Sequence, residues 1–300
     1  DWLQANKLRK GDQINVEQRE DSVVLSAPDN GEKRIEPKTI VIEIEGRSMA
    51  LIKTEIISAY LNNYDIIEVK GKLKSDTAAN VKSILRNLTG IEIIQQDSEK
   101  IIAKDLLNIN EISIETLIRR MDNITRSMLT DSISCIKKDI YEEIYERDME
   151  VNRLLYLAYR VIRAAIIDPR IAKGLGKKNI ELLFEQILME KIEKVADKAK
   201  RVARYIRMAN LKPAEMQEIE EIYITIKECY LNVMKAYYTK DLDLAFSVEV
   251  CGKEKIDLMN DFVKERQNAA AHMVIEQMKS MLISVKNIAR AVIGMEKNVW

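Results

Sequence analysis

The sequence EKVADKAKRVARYIRM, residues 193–208, sets the expected fold for most of this chain. Its apolar residues recur every three or four positions, which is the spacing of one face of an α-helix. Residues four apart lie on the same side of a helix, so Glu193 and Asp197 point in one direction. The earlier stretch RDMEVN, residues 147–152, places Asp148 and Asn152 at the same spacing. Two helices therefore each present a pair of oxygen-bearing side chains.

These two pairs have two interpretations. If the helices pack side by side at matching heights, four oxygen ligands would surround a hard cation such as iron, manganese or magnesium. Alternatively, the acids form ordinary ion pairs with Lys194, Lys198 and Arg201, which is the commoner arrangement for acids at this spacing. The metal ligands predicted by the first interpretation are Asp148, Asn152, Glu193 and Asp197.

Almost the whole chain from Ser113 onward has helical periodicity, interrupted at Pro169 and Pro213. Long helices joined by short connections predict an antiparallel bundle. The third helix is expected over Asn179–Met208, and the last two over about 241–266 and 269–295. Starts marked by a capping residue or by proline are Ser113, an Asp139–Glu142 capping box and Pro213.

The helical part contains an internal repeat. Two copies of a three-helix unit are predicted, at about 113–211 and 212–299. They align where Val202-Ala203 matches Ile288-Ala289. At this offset, Lys279 and Ile283 take the places of the two acids of EKVAD. The acidic pattern is lost from the second unit, so a metal ion is predicted in the first unit only.

These features resemble the PhoU family, the cytoplasmic regulators of phosphate uptake. The likeness is carried by EVNRLL (150–155), AAIIDP (164–169) and EKVADKAKRVA (193–203). Glu193 and Asp197 match the acidic motif of that family fully, and Asp148 with Asn152 matches it with Asn in the last place. The resemblance implies a metal-binding bundle, a homodimer, and a phosphate transporter or phosphate-sensing regulator protein as the partner. It also implies that the chain is not an enzyme.

Positive charge is concentrated in one part of a chain that is neutral overall. Residues 153–212 contain fifteen Lys or Arg against six Asp or Glu. This excess predicts a basic surface for an acidic partner protein, a phosphate-rich ligand or a peripheral contact with anionic lipid. A solvated helix face is the alternative. The predicted partner-binding residues are Lys194, Lys198 and Arg201.

Residues 1–32 are predicted to form a short helix and a β-hairpin, with LRKGD at residues 8–12 between them. This pattern resembles an incomplete AbrB-like swapped-hairpin domain, which implies a DNA-binding dimer with contacts from Lys7, Arg9 and Lys10. A segment of this length cannot bury an adequate core alone. Residues 1–37 hold six Lys or Arg against eight Asp or Glu, which favours a structural role without DNA contact.

Residues 33–108 alternate strand-like and helix-like patterns in the order β-α-β-α-β-β, with caps expected at Ser48 and at Ser75 or Asp76. Two helices on one sheet are predicted, as a packing or dimerisation module. The whole chain is therefore expected to be mostly α, with six long helices as two repeated three-helix units. A small α/β domain and a short β-rich segment precede them.

Composition narrows the class of protein. Lys plus Arg and Asp plus Glu are both 48 of 300 residues, so overall charge gives no case for nucleic acid or a membrane surface. The three cysteines have no C-x-x-C spacing, and apolar runs are shorter than the ~20 residues of a membrane span. A cytoplasmic protein is expected.

Three functions follow from these patterns. The leading one is a non-enzymatic regulator of phosphate homeostasis. The alternative is an AbrB-type DNA-binding transcription regulator, with the helices as a sensor or dimerisation domain. A di-metal carboxylate enzyme is disfavoured, because such sites commonly use Glu-x-x-His motifs and the only histidine is His272.

Overall fold

A computed structural model of the chain describes residues 2–5, 8–18, 23–26, 37–135, 138–209, 211–264 and 268–299. The chain forms two compact units, 1–37 and 38–300. The expected fold class is confirmed: the protein is mostly α, with a small α/β part and a short β-rich segment before the long helices. Within the described ranges, no helix combines the length and apolarity needed to cross a lipid bilayer.

The first unit is a short helix followed by a β-hairpin. Strand β1 runs antiparallel to β2, with Val16 opposite Leu25 and Gln18 opposite Val23. Paired residues share one face of a hairpin, and Val16, Val23 and Leu25 are all exposed on that face. The elements are α1 (Trp2–Ala5), β1 (Asn15–Gln18) and β2 (Val23–Ser26). The hairpin therefore leaves an apolar face uncovered.

The second unit begins with a four-stranded sheet of order β3-β4-β6-β5. Strand β3 is parallel to β4, as expected for strands joined by a helical crossover, and the other pairings are antiparallel. Ile67, Val69, Ile101 and Ala103 alternate with more exposed residues and form a hydrophobic core with the helices. The elements are β3 (Thr39–Glu43), α2 (Met49–Leu61), β4 (Ile66–Lys70), α3 (Ser75–Arg86), β5 (Ile91–Gln96) and β6 (Lys100–Asp105).

A bundle of six long helices follows in the described part of the chain. The elements are α4 (Ile114–Ser134), α5 (Tyr141–Ile167), the short α6 (Pro169–Gly174), α7 (Asn179–Met208), α8 (Pro213–Thr239), α9 (Leu242–Lys264) and α10 (Ala269–Val299). Helix α7 is the central element of the bundle, since it packs against α4, α5 and α10. Alanines at 196, 199 and 203 are fully buried on α7 and allow close approach of its neighbours.

The four-stranded sheet with α2 and α3, which we call the sheet domain, has a hydrophobic core separate from that of the bundle. A buried group of polar side chains, which we call the Arg160 anchor, joins the two. Arg160 of α5 is 1% exposed, and its guanidinium pairs with the carboxylate of Asp105 at the end of β6. Arg160 Nε also donates to Asn63 Oδ1 at 2.9 Å, and the guanidinium lies 4.7 Å from the centre of the Tyr60 ring. A charge buried this deeply is stable only while its partners remain in place.

Several predicted helix boundaries are confirmed. Helix α7 covers Asn179–Met208, Pro213 opens α8, and the Ser113 hydroxyl accepts from Thr116 N at the start of α4. Ser48 caps α2 in the same way, through Leu51 N. Each of these boundaries depends on contacts within one helical turn, and the local sequence determines such contacts.

Two predicted caps are wrong. Helix α3 begins at Ser75 after Lys74, so neither Ser75 nor Asp76 is its cap. Helix α5 begins at Tyr141 after Ile140 and has no side-chain cap, where a capping box at Asp139–Glu142 was expected. The Asp139 carboxylate still accepts from Tyr141 N through Oδ1 at 3.3 Å, and its Oδ2 pairs with Arg207 at 2.7 Å on α7. Asp139 therefore contacts the start of α5 from outside the helix and also connects α5 to α7.

Candidate functional site

The predicted oxygen pairs lie on α5 and α7, which pack against each other. Lys200, also on α7, connects them: its Nζ donates to Asp148 Oδ2 at 2.6 Å and lies 3.1 Å from Asp197 Oδ1. Asn152 Nδ2 donates to the carbonyl oxygen of Asp148 at 2.8 Å. Asp148 is 3% exposed. An ammonium group therefore lies between the carboxylates of two helices.

Basic residues of α7 neutralise the remaining acids. Asp197 Oδ2 is 2.9 Å from Arg201 Nε and 3.3 Å from Lys198 Nζ. Glu193 Oε2 is 3.3 Å from Lys194 Nζ. The three residues predicted to bind a partner are thus ion-paired with acids of their own helix. Lys194 and Arg201 remain about half exposed, so their docking role stays a prediction.

Burial and charge shift the pKa values of this cluster in different directions. Burial raises the pKa of Asp148 and of Glu193, against the opposing effect of Lys200 and Lys194 respectively. Burial would also raise the pKa of Asp197, but the surrounding basic side chains lower it. The pKa of Lys200 is raised: its burial opposes the charged form, but Asp148 and Asp197 favour it more strongly. Lys200 is therefore held as a cation.

The arrangement does not fit a metal ion while Lys200 stays in place. A bridging cation would need the position that the Lys200 ammonium takes between Asp148 and Asp197. Among the described residues, no group of three or more His, Cys, Asp or Glu side chains is arranged to hold a metal. The predicted ligands Asp148, Asn152, Glu193 and Asp197 do lie in one region, and metal binding by them stays a prediction that must now include competition from Lys200.

Replacing Lys200 by Met should increase metal binding. The change keeps most of the length of the side chain but removes the ammonium, so Asp148 and Asp197 would repel each other unless another cation enters. After incubation with manganese or iron and removal of excess ion, mass spectrometry should find higher occupancy in K200M than in wild type. Equal, near-zero occupancy in both proteins would exclude these carboxylates as a metal site.

The ion pair of Asp148 and Lys200 borders a cavity of about 370 Å³ between the sheet domain and the bundle. We call it the interdomain cleft. It is lined by α2 and α3 on one side and by α5 and α7 on the other, including Lys53, Ser83, Asn87, Arg153 and Lys200. Asp148 also lines it, and no described residue donates a hydrogen bond to Asp148 Oδ1. The cleft therefore combines three cationic side chains with one buried carboxylate oxygen that lacks a partner.

The sequence patterns missed Lys200, Lys53 and Arg153. Lys200 could have been found from the internal repeat, because it aligns with Lys286 at the same offset as the other matched residues. In the second predicted three-helix unit, Lys286 Nζ lies 3.6 Å from Glu249 Oε1, which also pairs with Arg290 at 2.7 Å. In both three-helix units, a lysine of the third helix thus lies against an acid of the preceding long helix. No local pattern indicates Lys53, since it enters the cleft from a separate domain.

The predicted DNA-binding residues belong to the first unit. Arg9 and Lys10 are exposed, and the backbone N of Arg9 donates to Asp12 Oδ2 at 2.7 Å. Lys7 lies outside the described residues. The exposed positions of Arg9 and Lys10 would allow contact with an anionic partner.

Comparison with known protein families, characterised proteins and solved structures finds no match to this chain.

Proposed function

We propose that this chain is a non-enzymatic regulator of phosphate uptake that acts through a partner protein and binds hydrogen phosphate in the interdomain cleft. The bundle of six long helices supports the regulatory part, because the PhoU resemblance implies a bundle of two three-helix units. The charges and the unpartnered oxygen of the cleft support the choice of ligand.

Side chains of the cleft suit an oxyanion. Lys53 and Arg153 are exposed there, and Lys200 lies deeper. Ser83 and Asn87 line the same cavity and supply a hydroxyl and an amide as further donors. Ammonium and guanidinium groups bind phosphate oxygens through charge-assisted hydrogen bonds, and a guanidinium can bind two oxygens at once. The excess of cations over the single Asp148 carboxylate attracts an anion.

The proposal rests on the missing hydrogen-bond donor at Asp148 Oδ1 among the described residues. A carboxylate oxygen in a cationic cleft accepts a hydrogen bond from an anion that carries an O–H group and repels an anion that has none. Hydrogen phosphate has an O–H group that can donate to this oxygen, whereas sulfate at neutral pH has none. A site that accepts a hydrogen bond discriminates strongly against an analogue lacking the donor. The cleft is therefore expected to prefer hydrogen phosphate to sulfate.

Lys200 links ligand binding to the bundle. Its ammonium holds α5 to α7 through Asp148 and Asp197, and a phosphate in the cleft would compete for the same ammonium. A ligand shifts a conformational equilibrium only if it interacts differently with the two states. Phosphate would bind more tightly to a state in which Lys200 is released from Asp148 and Asp197 than to the state in which it pairs with them. This change would occur where the sheet domain meets the bundle.

Isothermal titration calorimetry of the full chain with sodium phosphate and sodium sulfate tests the ligand. Wild type should bind phosphate more tightly than sulfate. Asp148→Asn replaces the acceptor by an amide that can donate to sulfate, so the preference should fall by about 10- to 100-fold, the range for a hydrogen bond to a charged group. Glu146→Gln is the matched control, since it makes the same type of change at an exposed position of α5 and should leave the preference unchanged.

Failure to bind phosphate at millimolar concentration, or equal preference in wild type and D148N, would contradict the proposed ligand. Regulation is tested separately by phosphate uptake in cells that lack the chain. Uptake should lose its response to phosphate supply, and wild-type protein or E146Q should restore the response while D148N should not. Normal regulation in cells lacking the chain would contradict the proposed function.

A second candidate function, DNA binding by a dimer, is favoured by the first unit. Val16, Val23 and Leu25 form an exposed apolar face on a two-stranded hairpin, and an isolated hairpin is at best marginally stable in water. Pairing with the hairpin of a second chain would cover this face, as in the swapped-hairpin domains that the segment resembles. Arg9 and Lys10 are exposed in the same unit.

Replacing both Arg9 and Lys10 by Gln should weaken binding to promoter DNA if this second function exists. Removing two phosphate contacts should reduce the slope of log affinity against log salt by about two. Fluorescence anisotropy with labelled DNA at several salt concentrations measures both quantities. Unchanged affinity and slope, or no specific binding by wild type, would exclude a DNA contact through these residues.

A further inference from the structure

The bundle contains another cavity, of about 340 Å³, at the end where α4 and α7 begin and where α8 and α10 end. Its walls include the rings of Tyr237 and Tyr238 and the side chain of Met295. Glu185 of α7 lines it and is only 3% exposed. Because carboxylates are rarely buried to this extent, the surroundings of Glu185 indicate what the cavity accepts.

One oxygen of Glu185 is satisfied and the other is not. Oε1 accepts from Lys177 Nζ at 2.8 Å, and the same Nζ lies 2.9 Å from Glu115 Oε1. Oε2 is buried, and no described residue donates to it. Two carboxylates thus share one ammonium group. Glu181 adds a further negative charge that acts on Glu185, while Arg119 and Lys240 also line the cavity.

A buried carboxylate oxygen without a donor is destabilising, since folding removes its hydrogen bonds to water. Burial raises the pKa of Glu185, while Lys177 favours the charged form. A donor that carries positive charge would satisfy Oε2 and would also offset the repulsion of the Glu185 carboxylate by Glu115 and Glu181. A neutral donor would satisfy Oε2 but leave this repulsion unchanged.

We infer that this cavity is a binding site for a small molecule with a primary amine. Its ammonium donates to Glu185 Oε2, and its carbon chain lies against Tyr237 and Met295. Arg119 lies 4.7 Å from the centre of the Tyr238 ring, so that ring already has a cation near it and Tyr237 forms the apolar wall. None of these residues belongs to the interdomain cleft, and the inference is independent of phosphate binding.

1,4-Diaminobutane is a suitable probe, and 1,4-butanediol is its uncharged counterpart of the same chain length. Calorimetry on the full chain should detect binding of the diamine and not of the diol. Glu185→Gln keeps the shape of the side chain but removes the charge, so diamine affinity should fall at least about tenfold. The matched control Glu146→Gln, at an exposed position of α5, should bind the diamine as wild type does.

Hydrogen exchange of wild type locates the site even if E185Q fails to fold. Saturating diamine should slow amide exchange at the start of α7 and the end of α8, while the diol should not. The inference is overturned if the diamine does not bind at 10 mM, if diol and diamine bind equally well, if protection appears elsewhere, or if folded E185Q binds as wild type does. Any of these outcomes means that Glu185 does not bind an amine in this cavity.

Discussion

Arg160→Met should lower the free energy of unfolding of the 38–300 unit by about 3–5 kcal/mol, the range measured when one partner of a buried ion pair is removed. Methionine occupies similar space, but it leaves the Asp105 carboxylate without its cation in a region closed to water. It also removes the hydrogen bond to Asn63 Oδ1 and the contact with the Tyr60 ring. Chemical denaturation followed by circular dichroism measures the change.

Arg163→Met is the control for this change, because Arg163 lies three residues further along α5 and is exposed. Its contact with Asn62 Oδ1 is long, at 3.5 Å, so its loss should alter stability by less than about 1 kcal/mol. Similar stability losses in R160M and R163M would show that the buried anchor does not hold the two domains. Tyr60 gives a second readout: burial raises its pKa to about 12, while the Arg160 guanidinium lowers it. R160M should therefore raise the Tyr60 pKa further if the interface stays closed, and a fall would show that water has reached the ring.

Leu188→Ala should destabilise the bundle by about 2–5 kcal/mol, through lost burial and the cavity left behind. Leu188 is fully buried on α7, which contacts α4, α5 and α10, so no single neighbour can shift to fill the space. Leu183→Ala is the matched control, because the same residue type on the same helix is 45% exposed.

Denaturation midpoints of L188A, L183A and wild type test this packing directly. L183A should lie close to wild type, since alanine has the higher helix propensity and little burial is lost. A loss in L183A as large as that in L188A would mean that the exposed position is covered in solution. A loss below 1 kcal/mol in L188A would contradict the central position of α7.

Local patterns predicted the helical part well because its determinants lie close together in sequence. The apolar period of residues 193–208 and the proline at 213 act over one or two turns, and both were confirmed. The cap expected at Asp139 lies one residue before the N-cap Ile140; Asp139 still accepts from Tyr141 N, but its contact with Arg207, 68 positions away, was not predicted. Short-range rules cannot include such a contact.

The spacing of four selected acids that the structure places in one region, but it did not indicate the lysine that lies between them. Glu193 and Asp197 were identified by a spacing of four, but Lys200 lies three residues beyond Asp197 and does not share that spacing. The cleft was less predictable still. Lys53 and Arg153 come from different domains, and nothing near either residue in sequence indicates that they line one cavity.

The Arg160 anchor also determines how separable the two domains of the second unit are. If the bundle is produced alone, as residues 109–300, the Arg160 guanidinium becomes exposed and water replaces Asp105 and Asn63. If only the Asp105 carboxylate is removed, the guanidinium stays buried with no counter-ion. Deleting a whole domain should therefore harm the bundle less than deleting one carboxylate. Separating the two domains would expose the apolar ring of Tyr156, which packs on the core of the sheet domain, but water could solvate the charged groups of the anchor on both sides.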